Sequence, residues 1–393
     1  MKKNRILLLT WFNNNNYGSL LQATALQDII NNKNISDKIK LEGYECKILN
    51  YEPNPMSKKK SFSFYFNYKN YKNKILSLYD KFYAKKYNKE LEKQNQTFRK
   101  FIKNNISLYP NSEIKSNELE GLNEKFDIFI SGSDQIWNPN SLDENYLLRW
   151  VNEDNKKISY GSSLSSSIIP EYYYQLYKKA LSSFYKISTR DKKCVEQLEE
   201  IIGKQLTTVV DPVILLGREN IENRMTNIDK SEEEYCLSYF LGRNYDTRSI
   251  FKKFCLLNNI EMKSIVGVQK DSLKYDKDIL NNALWDVDPY QFLAYIKNAK
   301  YIFTDSFHGT VLSIIFHKDF IVFEKDSNRP EQNNRIIELL KSLDLLDRWK
   351  EIKTVDSIEY IKEEKWLEVD KKIEELRMKS FDFLKNSLKE DEK

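Results

Sequence analysis

Histidine and cysteine are scarce in this 393-residue chain, and their scarcity argues against two common kinds of site. The two histidines, His308 and His317, are too few for a metal site built mainly from imidazole rings. The four cysteines are scattered without a C-x-x-C pair, which argues against a disulfide framework and against a thiolate zinc site. We therefore expect no bound metal, and the cysteine usage suits a reducing cytoplasm.

Long apolar runs are also absent. No stretch reaches the roughly 18 uncharged apolar residues that a transmembrane helix needs, so none is predicted. The apolar run Ile6–Leu9 is too short for the apolar region of a signal peptide and instead predicts a buried first strand. With 40% hydrophobic residues, the chain can bury a sizeable core and is long enough for two domains.

Short apolar runs of β-forming residues alternate with longer segments of helical spacing along most of the chain. Strands separated by helices predict parallel sheets covered on both faces, and hence an α/β fold. The polar stretch 217–234 lacks apolar periodicity and is interpreted as a linker between two such sheets. We therefore predict one domain over residues 1–228 and a second over residues 229–393, which ends in a C-terminal helix.

A basic insertion rich in aromatic residues interrupts the first domain at about residues 56–105. Residues 58–103 contain 14 Lys and Arg against 3 Asp and Glu, a local charge of +11 in a chain whose net charge is +5. Two interpretations remain open: a helical insertion with solvated lysines, or a surface that contacts an anionic membrane or phosphates. Nucleic-acid binding is not expected, because the rest of the chain is acidic overall.

A polar loop follows the first predicted strand and leads into a helix. It contains Asn16, Tyr17 and Gly18, with Gln22 one turn into the helix. Such strand–loop–helix junctions lie at the carboxyl edge of an α/β sheet, where ligands bind. The amides suggest recognition of hydroxyl groups, although Asn and Gly also simply make turns.

A second junction follows the predicted strand 126–131. After it come Ser133, Asp134, Trp137 and Asn138, and the indole of Trp137 offers a flat face for a sugar ring. Asp134 and Asn138 could bind sugar hydroxyls. The alternative is that Trp137 lies in the core and that Asp134 caps the next helix.

Two further junctions carry charge. Arg190 follows a short strand, where its guanidinium could bind a phosphate or carboxylate unless it pairs with a neighbouring carboxylate. The run Thr304-Asp305-Ser306-Phe307-His308 places a histidine at the start of an apolar helix. Free N–H groups there favour an anion, and a histidine there suits general acid–base chemistry.

These stretches, in this order, resemble the polysaccharide pyruvyl transferase family. Further matches are Ile158–Ser163, Val210–Val213 and Asn334–Leu340, and the resemblance runs from about Ile6 to Leu345 without the basic insertion and the tail. It implies a glycosyltransferase-B-like fold, in which two Rossmann-like domains, one for the acceptor and one for the donor, face each other across a cleft. It also implies phosphoenolpyruvate as co-substrate and donor, a saccharide diol as acceptor, and no cofactor.

The resemblance assigns roles to residues. His308 matches the family's catalytic histidine and Arg190 an arginine that engages the donor. Some relatives carry arginine at the position of Ser306, so Arg190, Arg243 and Arg335 would have to supply that charge, or the donor differs. We further expect Asp305 to orient His308. Donor binding is expected from Arg190, Arg243, Ser306, Gly309, Thr310 and Arg335, and acceptor binding from Asn16, Tyr17, Gly18, Gln22, Ser133, Asp134, Trp137 and Asn138.

Two alternatives remain open. One is a nucleotide-sugar glycosyltransferase of the same fold, and the other is a glycan-binding protein without catalytic activity. A lipid-linked acceptor and a location at the inner face of the cell membrane would suit the basic insertion.

Overall fold

The computed structural model describes residues 3–54, 83–152, 155–166, 168–190, 192, 195–226, 234–267, 273–325, 333–350 and 362–389. Residues 55–82, which carry much of the basic aromatic insertion, lie outside the described residues. The predicted membrane contact through residues 58–103 therefore stays a prediction.

The first sheet contains five parallel strands: β1 (Asn4–Leu9), β2 (Tyr44–Tyr51), β3 (Leu108–Ile114), β4 (Ile128–Ser131) and β5 (Lys156–Ser159). Their spatial order is β3-β2-β1-β4-β5. Strands β2 and β3 therefore lie on one side of β1, and strands β4 and β5 lie on its other side. The point of reversal, between β1 and β4, is where open α/β sheets bind ligands.

Helices and a short strand pair complete the first half of the chain. The helices are α1 (Tyr17–Ile30), α2 (Asn88–Asn105), α3 (Tyr174–Leu181), α4 (Val195–Ile202), α5 (Pro212–Leu216) and α6 (Arg218–Glu222). The strand pair is β6 (Ser188–Thr189) with β7 (Thr207–Thr208), also parallel.

The second sheet contains six strands: β8 (Tyr235–Phe240), β9 (Glu261–Val266), β10 (Ala283–Leu284), β11 (Tyr301–Thr304), β12 (Asp319–Phe323) and β13 (Trp349–Lys350). They run parallel in the order β10-β9-β8-β11-β12-β13, which puts a second point of reversal between β8 and β11. Its helices are α7 (Tyr245–Leu257), α8 (Pro289–Asn298), α9 (Phe307–Ile315) and α10 (Asn334–Ser342), and the last helix is α11 (Glu363–Leu388).

The central strands are buried because helices cover both faces of each sheet. All six residues of β8 and all four of β11 are buried, which fits their nearly continuous apolar sequences. The structure therefore confirms the predicted α/β fold with two Rossmann-like domains. No helix in the described ranges is both long and apolar enough to cross a membrane.

One apolar core runs through both domains, and Tyr17 belongs to it. The Tyr17 ring stacks on Phe292 of α8 with 4.6 Å between centroids, and its hydroxyl donates to the Val287 carbonyl at 3.0 Å. Helix α2, the described end of the basic insertion, packs Phe98 against Tyr17 and bonds Gln94 to the Val266 carbonyl at 3.1 Å. The insertion therefore ends in a helix that bridges the two domains.

Helix α11, which the sequence groups with the second domain, contacts that domain through Asp370 and reaches the first domain with its C-terminal half. Arg377 donates to the carbonyl of Leu215 at 2.7 Å, and Ser380 accepts from the amide of Val210 at 3.0 Å. A domain division by sequence position alone therefore misses this contact, because a charged amphipathic helix does not reveal which surface its apolar face covers.

Candidate active site

The two points of reversal face each other across a polar cavity of about 300 Å³. Side chains that follow β1 and β4 line it from the first domain, and side chains that follow β8 and β11 line it from the second. We call it the polar cavity. Its polar and charged lining residues are Asn14, Asn16, Ser19, Asp134, Gln135, Ser141, Asp305, Ser306, His308, Lys325 and Arg335.

His308 occupies the first turn of α9, as the sequence predicts. Ser306 is the N-cap of this helix, and its side chain accepts from the Gly309 amide at 3.3 Å. The imidazole is only 7% exposed, and its Nε2 lies 3.4 Å from Oδ2 of Asp211. A methyl group at Gly18 would lie 2.0 Å from Nδ1, so the ring fits tightly against the first turn of α1. His308 is thus enclosed by groups from the other domain.

Asp211 is fully buried and has three partners. It is the N-cap of α5, with Oδ1 accepting from the Val213 amide at 2.9 Å. Its Oδ2 accepts from Arg190 and lies beside His308. Burial by itself would raise the pKa of Asp211, but Arg190 and then His308 outweigh it, so the pKa lies well below its ordinary value of 3.8. Asp211 is therefore a carboxylate at neutral pH.

The expectation that Asp305 orients His308 is not met by the geometry. Both oxygens of Asp305 accept from backbone amides of the loop after β8, from Leu241 at 2.6 Å and from Gly242 at 2.7 Å. Asp305 lines the polar cavity but fixes this loop. In the sequence, Asp211 stands between a predicted strand and Pro212, a pattern that indicates the N-cap of a helix. It gives no hint that this carboxylate reaches His308.

Two arginines flank the ring of Phe307. The guanidinium carbons of Arg190 and Arg335 lie 5.8 and 4.9 Å from the ring centroid. The Gln135 amide, with its oxygen turned toward Arg335, accepts from both terminal nitrogens at 3.0 Å. Of these two predicted donor residues, Arg335 lines the polar cavity, whereas Arg190 does not and instead pairs with the carboxylates of Asp211 and Asp134. Arg243 is exposed after β8 and does not line the polar cavity.

The other predicted donor residues have unequal positions. Ser306 lines the cavity, but Gly309 and Thr310 do not. Thr310 is fully buried and donates to the Ser306 carbonyl at 2.9 Å. A methyl group at Gly309 would lie 2.5 Å from the Thr304 hydroxyl oxygen, so this glycine allows α9 to approach β11. Both residues shape the helix start rather than the cavity surface.

Among the predicted acceptor residues, Asn16 and Asp134 line the cavity. Asn16 is the N-cap of α1 and accepts from the Ser19 amide at 3.2 Å. Asp134 accepts from the Ser19 hydroxyl at 2.6 Å and lies 3.5 Å from Arg190. Gly18 contributes by its lack of a side chain, which makes room for His308.

The remaining acceptor predictions are corrected by burial. Trp137 is fully buried and donates to the Tyr146 carbonyl at 3.2 Å, so it has no face for a sugar ring. Tyr17, Gln22, Ser133 and Asn138 are also buried, and none of them lines the polar cavity. For example, Gln22 donates to the hydroxyl of Thr10 at 2.9 Å.

Sequence reasoning missed six polar residues of the site. Besides Asp211, these are Asn14, Ser19, Gln135, Ser141 and Lys325. Ser19 and Gln135 stand inside the motifs that the sequence singles out, whereas Lys325 simply follows β12. Within the described residues, no three His, Cys, Asp or Glu side chains are grouped so that they could hold a metal ion.

Comparison with solved structures shows the fold. The chain is similar to a Listeria monocytogenes protein described as a UDP-N-acetylglucosamine 2-epimerase, with a TM-score of 0.50, 11% identity, and coverage of 98% of this chain and 91% of that one. It is also similar to the UDP-GlcNAc 2-epimerase of Methanocaldococcus jannaschii (TM-score 0.48, 13% identity, 94% and 92% coverage). A third is the Escherichia coli heptosyltransferase WaaC (0.40, 12%, 86% and 99%). The first of these, at a TM-score of 0.50, agrees with the glycosyltransferase-B-like arrangement of two Rossmann-like domains described above, and an identity this low shows nothing more.

Comparison with sequence families is more specific. No curated protein matches the sequence significantly. A family model described as polysaccharide pyruvyl transferase matches residues 16–327, a span that begins at the loop after β1 and contains Asp134, Arg190, Asp211 and His308. Because this span covers most of the chain, the protein belongs to the polysaccharide pyruvyl transferase family.

Proposed function

We propose that the protein transfers the enolpyruvyl carbons of phosphoenolpyruvate to two hydroxyls of a saccharide, forming a pyruvate ketal and releasing phosphate. One observation carries the proposal: an imidazole held beside a buried carboxylate, with arginines nearby, in a cavity at the reversal points of both sheets. Family membership supports a transferase that modifies polysaccharide.

The size of the polar cavity supports a small donor together with a sugar. A volume of 300 Å³ corresponds to about 20 to 30 water-sized spheres. Phosphoenolpyruvate and one hexose ring together have about 22 non-hydrogen atoms, which is comparable with this capacity. The donor has three negative charges, and Arg335 and Lys325 line the cavity. The start of α9 adds the positive end of a helix dipole.

The proposed reaction has two additions at the same carbon. His308 delivers a proton to the methylene carbon of the donor, which leaves an oxocarbenium-like centre at the next carbon. One acceptor hydroxyl adds to this centre and loses its proton, and the bond to phosphate then breaks. The second hydroxyl adds, also loses its proton, and closes the ketal. One of the two released protons replaces the one taken by the methyl group, and the other leaves with phosphate.

In this scheme Asp211 is the group that positions the imidazole. The carboxylate lies 3.4 Å from Nε2 and remains ionised because Arg190 lowers its pKa. An imidazole beside a fixed carboxylate can take and return a proton without moving. Asp211 does not line the polar cavity, so its role is to position His308.

The alternative of a nucleotide-sugar glycosyltransferase has less support. Nucleotides bind open α/β sheets at the carboxyl ends of the strands. In the second sheet, α2 covers the carboxyl end of β9 through Gln94, and Trp285 after β10 stacks on Tyr87 with 5.5 Å between centroids. This packing leaves less of the sheet edge for a nucleoside.

The test is incubation with phosphoenolpyruvate and a panel of glycan acceptors. A ketal and an enolpyruvyl ether have the same mass, so the product is identified by NMR: a methyl singlet for the ketal, vinylidene protons for the ether. We expect phosphate release together with the methyl singlet. Release of a nucleoside diphosphate from nucleotide sugars, with no reaction of phosphoenolpyruvate, would overturn the proposal.

The matched variants for this assay are His308→Gln and His317→Gln. We expect His308→Gln to lower kcat by about 10²- to 10⁴-fold, the usual contribution of a general acid–base residue. His317 lies near the other end of α9 and bonds Asp370 at 2.8 Å, so His317→Gln should retain turnover. Near-normal turnover of folded His308→Gln would remove this residue from the mechanism.

A further inference from the structure

A second cavity, of about 120 Å³, lies on the other side of Phe307 and Arg335 from the polar cavity. Five parts of the chain form it: the loop after β6, the segment from β7 to α5, the start of α9, helix α10 and helix α11. Much of its wall is apolar and is built from Val209, Ile214, Phe307, Leu339 and Leu376. The function proposed above does not use this space.

The second cavity combines these apolar walls with an excess of positive charge. Four cationic side chains line it, Arg190, Lys192, Arg335 and Lys379, against the two carboxylates of Asp211 and Glu338. Lys192 and Lys379 are exposed, so their ammonium groups lie near solvent. An apolar chamber bordered by cations complements a ligand that has an apolar body and an anionic end.

The volume limits the size of that ligand. A cavity of 120 Å³ corresponds to about 8 to 12 water-sized spheres. A nucleoside diphosphate, with about 25 non-hydrogen atoms, is too large for it. We infer that the second cavity binds a small amphipathic anion: an apolar group of roughly four to six carbon atoms with a phosphate or carboxylate at one end.

The site is coupled to the polar cavity through Arg190. This guanidinium lines the second cavity and also donates to Asp211, which in turn lies beside His308. An anion bound in the second cavity competes with Asp211 for Arg190 and so changes the charge next to the imidazole. Linkage requires the effect to be reciprocal, so a ligand in the polar cavity changes the affinity of the second cavity by the same factor. Binding itself does not depend on the proposed function, whereas an effect on turnover rests on it.

The test uses n-butyl phosphate as the probe, titrated calorimetrically into the full chain, with inorganic phosphate and butanol as comparisons. We expect n-butyl phosphate to bind at least tenfold more tightly than either, because it fills the apolar part and meets the cations at once. Binding should persist at saturating phosphoenolpyruvate with a changed Kd. Equal affinity for inorganic phosphate, or complete competition by phosphoenolpyruvate, would overturn the inference.

Two variants locate the site. Leu376→Trp fills the second cavity and should weaken n-butyl phosphate at least tenfold, whereas Lys379→Gln at the exposed side should weaken it about threefold. Leu367→Trp is the control, because Leu367 lies on the same helix and is 62% exposed. If Leu376→Trp fails to fold, Lys379→Gln and Lys192→Gln serve as the test of the site. An unchanged affinity of both variants for n-butyl phosphate would refute the site. If the wild-type protein binds n-butyl phosphate but does not bind phosphoenolpyruvate, the result contradicts the proposed function and leaves the second cavity's ligand as inferred.

Discussion

Gly18 and His308 meet across the domain boundary with no room between them. A methyl group at position 18 would lie 2.0 Å from Nδ1, so Gly18→Ala must displace the imidazole or the start of α1. We expect kcat to fall about 100-fold, as for other misplacements of about 1 Å, with a loss of about 1–3 kcal/mol in the free energy of unfolding.

The control for Gly18→Ala is Gly121→Ala, because no atom lies within 4 Å of a Cβ at that position. Steady-state kinetics and urea unfolding of both variants decide the matter. Full turnover of Gly18→Ala would show that the position of the ring is not critical.

The Asp211 carboxylate makes a pH-dependent contribution to stability. Because its pKa is lowered from 3.8 in the folded state, the contribution is fully present above about pH 4 and is lost as the pH falls below it. Asp211→Asn should lower the free energy of unfolding by about 3 kcal/mol at pH 7, since the buried Arg190 would lose its nearer carboxylate and keep only Asp134 at 3.5 Å. This difference should shrink as the pH falls toward 3.

Urea unfolding between pH 7 and pH 3 measures the effect of Asp211→Asn. Asp127→Asn is the control, because Asp127 forms an ion pair with Arg5 in which both side chains are about 40% exposed. Its removal should cost at most about 1 kcal/mol. A difference between Asp211→Asn and the wild-type protein that stays constant with pH would contradict the assignment.

At the scale of elements, the N-cap of α9 fixes the helix start that carries His308. Ser306→Ala removes the side-chain acceptor for the Gly309 amide and should cost about 1 kcal/mol of unfolding free energy. Ser313→Ala in the same helix is the control, because its hydroxyl only donates to the Gly309 carbonyl at 2.8 Å. Equal losses in urea unfolding would mean that the cap contributes nothing specific.

The sequence predicts elements better than it predicts side-chain directions. Apolar runs located most of the strands but not β3, whose sequence is largely polar, nor the two-residue strands β10 and β13. Because parallel strands end at one edge, the junctions at Asn16, Asp134 and His308 come together as expected. The prediction that Trp137 binds a sugar ring was wrong, because side chains after a turn can point toward the core or toward solvent and the sequence does not distinguish these two directions. The contact of Asp211 with His308 depends on how the two domains meet, which no local pattern encodes.

At the scale of the molecule, Tyr17 joins the two domains. Its ring packs on Phe98 and Phe292 and is 1% exposed. Tyr17→Ala should lower the free energy of unfolding by about 3–5 kcal/mol, the usual cost of removing a buried aromatic side chain. It should also increase the radius of gyration, since the cavity opens between the domains.

Urea unfolding and small-angle scattering test the prediction for Tyr17→Ala. Tyr172→Ala is the control, because Tyr172 is 71% exposed and its loss should change neither quantity. An unchanged scattering curve for Tyr17→Ala would contradict the prediction, because it would mean that the variant has a local cavity and not a loosened contact between the domains.

Helix α11 contacts both domains, with Asp370 2.8 Å from His317 of the second and Arg377 bonded to the Leu215 carbonyl of the first, so the domains are connected twice: by the chain between α6 and β8 and along this helix. A domain joined to its neighbour by one connection can rotate about any axis, whereas two connections restrict it mainly to rotation about the line through them. Opening that separates Asp211 from His308 is then a one-axis motion.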